Sequence, residues 1–212
     1  MKKYYPLLVD LDQVKCLVIG GGAVAYRKVL SLKESGAAVT LISPRILEPL
    51  AQMGDQGEIT ILKRRYQWGD LKGFRLVYVA TDDQEVGVQV CNEAKDEGIL
   101  LNMADNPSLG NFIVPSKIQR GDLSLCISTN GKSPLLAKKI RQELEVRYGQ
   151  EYADFLRLLG QEREAALREI PDGDKRKAYF EALVSSDLLD LMREGRKEEI
   201  SERLAEIRKK LE

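Results

Sequence analysis

Lys15-Cys-Leu-Val-Ile-Gly20-Gly-Gly-Ala-Val-Ala25 is the stretch on which the reading of the fold turns. A short apolar run ends on three glycines, and the helix-forming residues Ala23 to Ser35 follow, closed by Gly36 in the C′ position. Gly20, Gly22 and Ala25 fit G-x-G-x-x-A, placed directly after a strand and at the start of a helix. Each small residue has a physical task. Gly20 permits a tight turn, Gly22 lets backbone approach a pyrophosphate, and Ala25 lets the helix pack closely on the sheet. Ala23 and Val24 lie in the first turn, where free N–H groups and the helix dipole hold phosphate. The stretch predicts a buried parallel strand leading into a dinucleotide site.

Downstream, Val39–Ser43 and Leu76–Thr81 read as further strands, with a weaker one at Ile59–Leu62. Asp83–Glu97 reads as a helix stopped by Gly98, ahead of the strand Ile99–Asn102. Strand and helix alternating in this way imply an α/β fold with a doubly wound, Rossmann-like parallel sheet. From Asn111 the rhythm changes. Phe112–Val114 and Leu123–Ser128 follow each other without a helix, with Gly121-Asp122 as the turn, which predicts a hairpin or sheet extension. Ser133-Pro134 supplies an N-cap and an N1 proline for a helix to about Arg147. Beyond Gly149 the chain reads as helices over Glu151–Glu169, Lys175–Val184, Asp187–Glu194 and Lys197–Leu211, with Ser186-Asp187 as a cap for the third.

Charge marks a boundary. Residues 148–212 carry 13 basic and 16 acidic side chains, against 20 and 17 in residues 1–147. We therefore expect a dinucleotide-binding domain over 1–113, a small α+β region over 114–147 and a helical domain over 148–212.

The formal net charge is zero, so the broad electrostatic footprint of a nucleic-acid or membrane-surface binder is missing. An anionic partner must be met by a local cluster of bases. Apolar runs such as Leu123–Ile127 fall far short of the ~20 residues that cross a bilayer. Met1–Tyr5 shows no apolar leader, and the reading is a soluble cytoplasmic protein. Cys16, Cys91 and Cys126 are odd in number, lie in apolar segments and form no CxxC pair, so buried thiols are expected rather than a disulfide or metal site. There is no histidine. Ser-His-Asp and Cys-His machinery and His-containing metal sites are excluded, and proton transfer falls to a carboxylate, Lys, Tyr, a thiol or water.

Where an acidic residue would hold the adenosine ribose, Ser43-Pro44-Arg45 stands instead. Ser43 can bond a ribose hydroxyl and Arg45 can face a 2′-phosphate, so this position leaves NAD and NADP both open. Ala80-Thr81-Asp82-Asp83 ends a strand, where open α/β sheets bind ligands. Thr81 and Asp82 contact the cofactor there, or an aspartate of the segment caps the next helix. Asn102-Met-Ala-Asp105-Asn-Pro107 follows the next strand. Asp105 can act as general base beside a nicotinamide, or the segment is a surface Asp-Asn-Pro turn. Thr129-Asn-Gly-Lys132-Ser133-Pro134 is basic and opens a helix, which suits a carboxylate or phosphate, or simply a capped helix start. Lys117 and Arg120, with Lys138, Lys139 and Arg141, add positive charge nearby in sequence. Tyr152, Phe155, Leu156 and Leu159 form an apolar stripe of core or dimer character. Trp68 and Lys63-Arg64-Arg65 read as structural or solvent-facing.

Taken together, the chain resembles the precorrin-2 dehydrogenase family, including the dehydrogenase/ferrochelatase module of siroheme synthases. The residues that carry the resemblance are Tyr5-Pro-Leu7, Val18-Ile-Gly-Gly-Gly-Ala-Val-Ala25 with Arg27-Lys28, Ala80-Thr-Asp-Asp83, Asn102-Met-Ala-Asp-Asn-Pro107, Phe112-Ile-Val-Pro-Ser116 and Gly131-Lys-Ser-Pro134. The resemblance implies NAD-dependent oxidation of precorrin-2 to sirohydrochlorin, and a homodimer with a Rossmann-like domain, a central dimerisation region and a helical C-terminal domain. It implies a catalytic role for Asp105 and adds Asn102 to the cofactor contacts. Lys117, Arg120, Thr129, Lys132 and Ser133 become candidate partners for a substrate rich in carboxylates. Relatives that also insert iron need a proton acceptor and a transient metal ligand, neither of which can be histidine here, so the dehydrogenase alone is favoured over a bifunctional dehydrogenase and ferrochelatase. A different class also fits the motifs: a nucleotide-sensing regulatory module whose helical tail binds a protein.

Overall fold

Four parallel pairings join the strands that the glycine-rich stretch begins. The computed structural model describes residues 3–209. Strands β1 (Lys15–Ile19), β2 (Ala38–Ile42), β3 (Thr60–Leu62), β4 (Leu76–Val79) and β5 (Leu100–Met103) form one sheet in the order β3-β2-β1-β4-β5. Helices α1 (Ala23–Glu34), α2 (Glu48–Asp55) and α3 (Gln84–Asp96) connect them. The strand order reverses between β1 and β4, so this α/β sheet has its topological switch point beside the glycine turn.

Period-two alternation sorts the strand residues between two cores. Leu17, Ile19, Val77, Val79, Leu101 and Met103 pack with Val90, Cys91 and Ala94 of α3. Cys16, Val18, Val39, Leu41, Leu76 and Tyr78 pack with Ala25, Val29 and Leu32 of α1 and Leu50 of α2. Burial on both faces explains why β1 and β4 are continuous apolar runs. A buried carboxylate closes the α3 side. Glu93, 3% exposed, accepts hydrogen bonds from the Tyr66 hydroxyl and from the amides of Gly69 and Leu71, the latter two at 2.8 Å. Every oxygen of this buried group is thereby matched by a donor, and the 66–71 loop is fastened to α3.

The chain divides into two units, one ending at Val114 and one beginning at Pro115. In the second, β6 (Ser116–Arg120) and β7 (Leu123–Ile127) form an antiparallel hairpin, followed by α4 (Pro134–Arg147), α5 (Glu151–Glu169), α6 (Gly173–Ser185), α7 (Leu188–Arg193) and α8 (Lys197–Lys209). Phe155, Ala166, Tyr179, Leu183, Leu188 and Ile207 make its helical core. Glu162, 5% exposed, is held there by the Tyr179 hydroxyl at 2.5 Å and by both arms of the Arg208 guanidinium. That cluster ties α5, α6 and α8 together. No helix among the described residues is long and apolar enough to cross a membrane.

The fold class is as expected, with four differences in detail. Helix α2 occupies a stretch for which no element was expected. Phe112–Val114 forms no ladder, and the strand that pairs with β7 is Ser116–Arg120. Cys126 is exposed on β7, whereas Cys16 and Cys91 are buried. Asp187 stands at the N-cap of α7 without a side-chain cap bond, and the Ser186 hydroxyl accepts from the Leu188 amide instead. The expected start at Met1 and the end of the last helix at Leu211 lie outside the described residues.

Candidate active site

The ladder bonds that continue past the strand ends define one edge of the sheet. The Gly20 amide donates to Ile42 O, the Ala80 amide to Ile19 O and the Ala104 amide to Val79 O, all at 2.8–2.9 Å. The glycine turn, Thr81-Asp82 and Asp105 therefore sit at the carboxyl ends of the adjacent strands β1, β4 and β5, which lie ~5 Å apart.

The three glycines are packed unequally. Gly20 has φ +120°, and a β-carbon on it would stand 2.1 Å from Ala80 O. One on Gly21 would stand 2.1 Å from Arg45 O, and the Leu47 amide donates to Gly21 O at 2.9 Å. The turn is thus wedged between the end of β4 and the loop after β2. A β-carbon on Gly22 would meet nothing within 4 Å. Gly22 is the N-cap of α1, no side chain caps that helix, and its first turn holds no acid. By contrast, Asp83 caps α3 and Ser133 caps α4. The positive end of α1 faces open space over a residue without a side chain.

Other expected residues divide between free and engaged groups. Asp82 is exposed, while Asp83 does the capping by accepting from Val86 N at 3.3 Å. Thr81 accepts from the Asp83 amide at 3.3 Å. Ser43 is 6% exposed, and its hydroxyl donates to Arg45 O at 2.6 Å. Its proton is thereby used to shape the 43–47 turn, in which Pro44, Arg45 and Leu47 are exposed. Asn102 is buried and donates to Phe112 O at 3.1 Å, so its amide is committed within the chain. Asp105 is exposed in the loop after β5. Lys28 on α1 holds its ammonium 5.1 Å from the Tyr78 ring centroid, and burial, aided by Arg27, pulls its pKa below the ordinary lysine value.

Among residues of the second unit, Lys117 and Lys132 are exposed. Arg120 is half-buried and donates to Tyr148 O at 3.1 Å and Gln119 O at 2.9 Å. Thr129 accepts from the Ser133 amide and donates to its carbonyl, and Ser133 caps α4 by accepting from Leu136 N at 3.2 Å. Thr129 and Ser133 thus build the 129–133 loop and Arg120 ties the end of β6 to Tyr148, which leaves Lys117 and Lys132 as the exposed cations of the expected set.

Residues 7–116 match the family described as putative NAD(P)-binding, more than half of the chain. The chain belongs to this NAD(P)-binding family. Residues 120–147 match the sirohaem biosynthesis protein central region, and residues 151–207 the sirohaem synthase dimerisation region. The chain is 34% identical to the siroheme synthase of Methylococcus capsulatus over 96% of this chain and 43% of that protein. It is 32% identical to that of Pseudoalteromonas atlantica over 91% of this chain and 42% of that protein. It spans less than half the length of these curated relatives. Among solved structures, SirC, a precorrin-2 dehydrogenase, superposes with a TM-score of 0.82 at 29% identity, covering 97% of this chain and all of that one.

Membership in the NAD(P)-binding family can be tested on the chain's own geometry. A dinucleotide pyrophosphate needs a helix start without a competing cap and a backbone that it can approach, and Gly22 with α1 meets both requirements. The residues that would hold it are Gly20 and Gly22 to Ala25, flanked by Thr81 and Asp82. Sequence reading assigned no bond to Asn111, whose side chain accepts from Leu101 N–H and donates to Ile99 O; its one signal is its position at the change of rhythm.

Proposed function

We propose that this chain is an NAD-dependent precorrin-2 dehydrogenase, oxidising precorrin-2 to sirohydrochlorin. The observation that carries this reading is the juxtaposition, along one sheet edge, of an open Gly22 turn and an exposed carboxylate, Asp105, two strands away in the loop after β5. The end-to-end likeness to a precorrin-2 dehydrogenase supports it.

Bound on the Gly22 turn, NAD supplies the two-electron acceptor for the hydride that leaves the tetrapyrrole. The α1 N-terminus would hold the pyrophosphate, and Thr81 and Asp82 would contact the ribose or phosphate region of the cofactor. Asp105 takes the proton that must leave with the hydride, a task that no histidine can perform in this chain. Lys117 and Lys132, exposed cations of the second unit, are kept as candidate partners for carboxylates of the substrate, and Arg120, Thr129 and Ser133 as residues whose polar groups are used within the chain.

The division into 1–113, 114–147 and 148–212 belongs to this reading. So do a homodimer formed through the region that matches the dimerisation family, and the cytoplasm as its location. The test is to supply precorrin-2 with NAD and with NADP in parallel and follow sirohydrochlorin absorbance. Nucleotide-dependent turnover is expected, and its absence with both nucleotides contradicts the proposal.

A further inference from the structure

β5 is an edge strand, so alternate backbone groups on its outer side have no neighbouring strand. Asn111 satisfies those of Ile99 and Leu101. Its Oδ1 accepts from the Leu101 amide and its Nδ2 donates to Ile99 O, both at 2.7 Å, while its own amide donates to Leu101 O at 2.9 Å. The side-chain amide thus presents a donor and an acceptor at the spacing of a paired strand. Gly110 comes so close to the same strand that a β-carbon on it would stand 2.7 Å from Leu101 O.

This clasp closes a loop. The chain leaves β5 at Met103, passes through Asp105 and is brought back alongside Leu101 at Asn111. The leaving end is fixed by the Ala104 amide on Val79 O at 2.9 Å, and the returning end by Asn111, with Asn102 Nδ2 on Phe112 O at 3.1 Å. Between the ends, the Asn106 side chain accepts from the Ser108 amide at 3.2 Å, the Leu109 amide donates to Asn106 O at 3.0 Å, and the Cys91 thiol donates to Leu109 O at 3.4 Å. Asp105 itself is exposed and sits at the start of this loop.

We infer that Asn111 is a positioning residue for Asp105: by joining the loop to the edge of β5 it sets where the Asp105 carboxylate stands relative to the glycine turn. This rests on the dehydrogenase reading given above. A displacement of about 1 Å in a reacting group can cost about 100-fold in rate, so loosening the clasp should be read in kcat.

The test is a double-mutant cycle in the full chain, with precorrin-2 and NAD. Turnover by the parent is measured first, and its absence overturns the dehydrogenase reading itself, before any variant is made. With turnover in hand, Asn111→Ala is expected to lower kcat about 10- to 100-fold, with KM and NAD affinity within about two-fold of the parent. Asn111→Asp, which keeps the acceptor for Leu101 N–H and loses the donor for Ile99 O, should fall between the two, and it carries the cycle should the alanine variant not fold. In an Asp105→Ala background either change should cause no further loss. Losses at Asn111 that multiply with the loss at Asp105, an unchanged kcat, or a KM effect as large as the kcat effect would overturn the inference while leaving the dehydrogenase reading intact.

Discussion

A β-carbon on Gly20 would stand 2.1 Å from the carbonyl oxygen of Ala80, whereas one on Gly22, two residues later, would meet nothing within 4 Å. The turn that begins α1 is therefore jammed against β4 on one side and open on the other. Both glycines belong to the same motif, yet one is closed against β4 and the other is open to approach.

Their alanine variants should separate accordingly. Gly20→Ala places a side chain at φ +120° and into Ala80 O, and should destabilise the chain by several kcal/mol in denaturant unfolding. Gly22→Ala adopts the extended N-cap geometry already present, φ −89° and ψ −171°, and should change stability by no more than about 1 kcal/mol. Its NAD affinity, measured by calorimetry, should fall at least about ten-fold, because the β-carbon occupies the space through which a pyrophosphate approaches. Unaltered affinity in Gly22→Ala would remove the turn from the cofactor site.

Acid should loosen the 64–70 loop. Arg64 makes a bidentate pair with Asp70 at 2.6 and 2.7 Å, and that pairing, helped by the Gln67 amide, holds the Asp70 carboxyl below its ordinary value of 3.8. A folded-state pKa below the unfolded one gives stability that is complete above the unfolded value and is lost as pH falls through the folded value. Asp70→Asn should be less stable than the parent at pH 7, and the gap should narrow from about pH 4 downward in thermal melts. A gap that is constant down to about pH 2 would show that the pair contributes nothing through ionisation.

Thiol titration should distinguish the three cysteines. Cys16 is fully buried and burial pushes its thiol up to about 11, Cys91 is buried against Leu109 O, and Cys126 is exposed on β7. An aromatic disulfide reagent should titrate Cys126 alone in the native protein and all three thiols in denaturant. Rapid labelling of Cys16 without unfolding would contradict the packing of β1 against α1.

Much of this architecture is legible in the residues. The β1 and β4 runs are buried on both faces and so read as unbroken apolar strands, and the glycine turn has a motif because a ligand imposes one. Helix α2 was not foreseen because it has eight residues with Pro49, Gly54 and only one fully buried side chain, Leu50, so its periodicity is too short to register. Phe112–Val114 has strand-like side chains, but its neighbourhood is organised by side-chain amides, Asn111 on Ile99 and Leu101 and Asn102 on Phe112, which no alternation pattern encodes. At the site, the spacing of motifs located Asp105 and the glycines correctly on one sheet edge. Ser133 caps α4 as the Ser133-Pro134 pair indicates, but the spacing did not reveal that Ser43, Thr129 and Arg120 use their polar groups within the chain, since hydroxyl and guanidinium commitments depend on local turn geometry.

Proton transfer by Asp105 beside a nucleotide on the Gly22 turn, as proposed above, is decided by turnover and nucleotide binding in Asp105→Asn. The substitution preserves size at an exposed position and removes only the base. We expect kcat for precorrin-2 oxidation to fall about 100- to 10,000-fold, with NAD affinity and melting temperature unchanged. A variant that oxidises precorrin-2 at the parent's rate would remove Asp105 from the proton transfer.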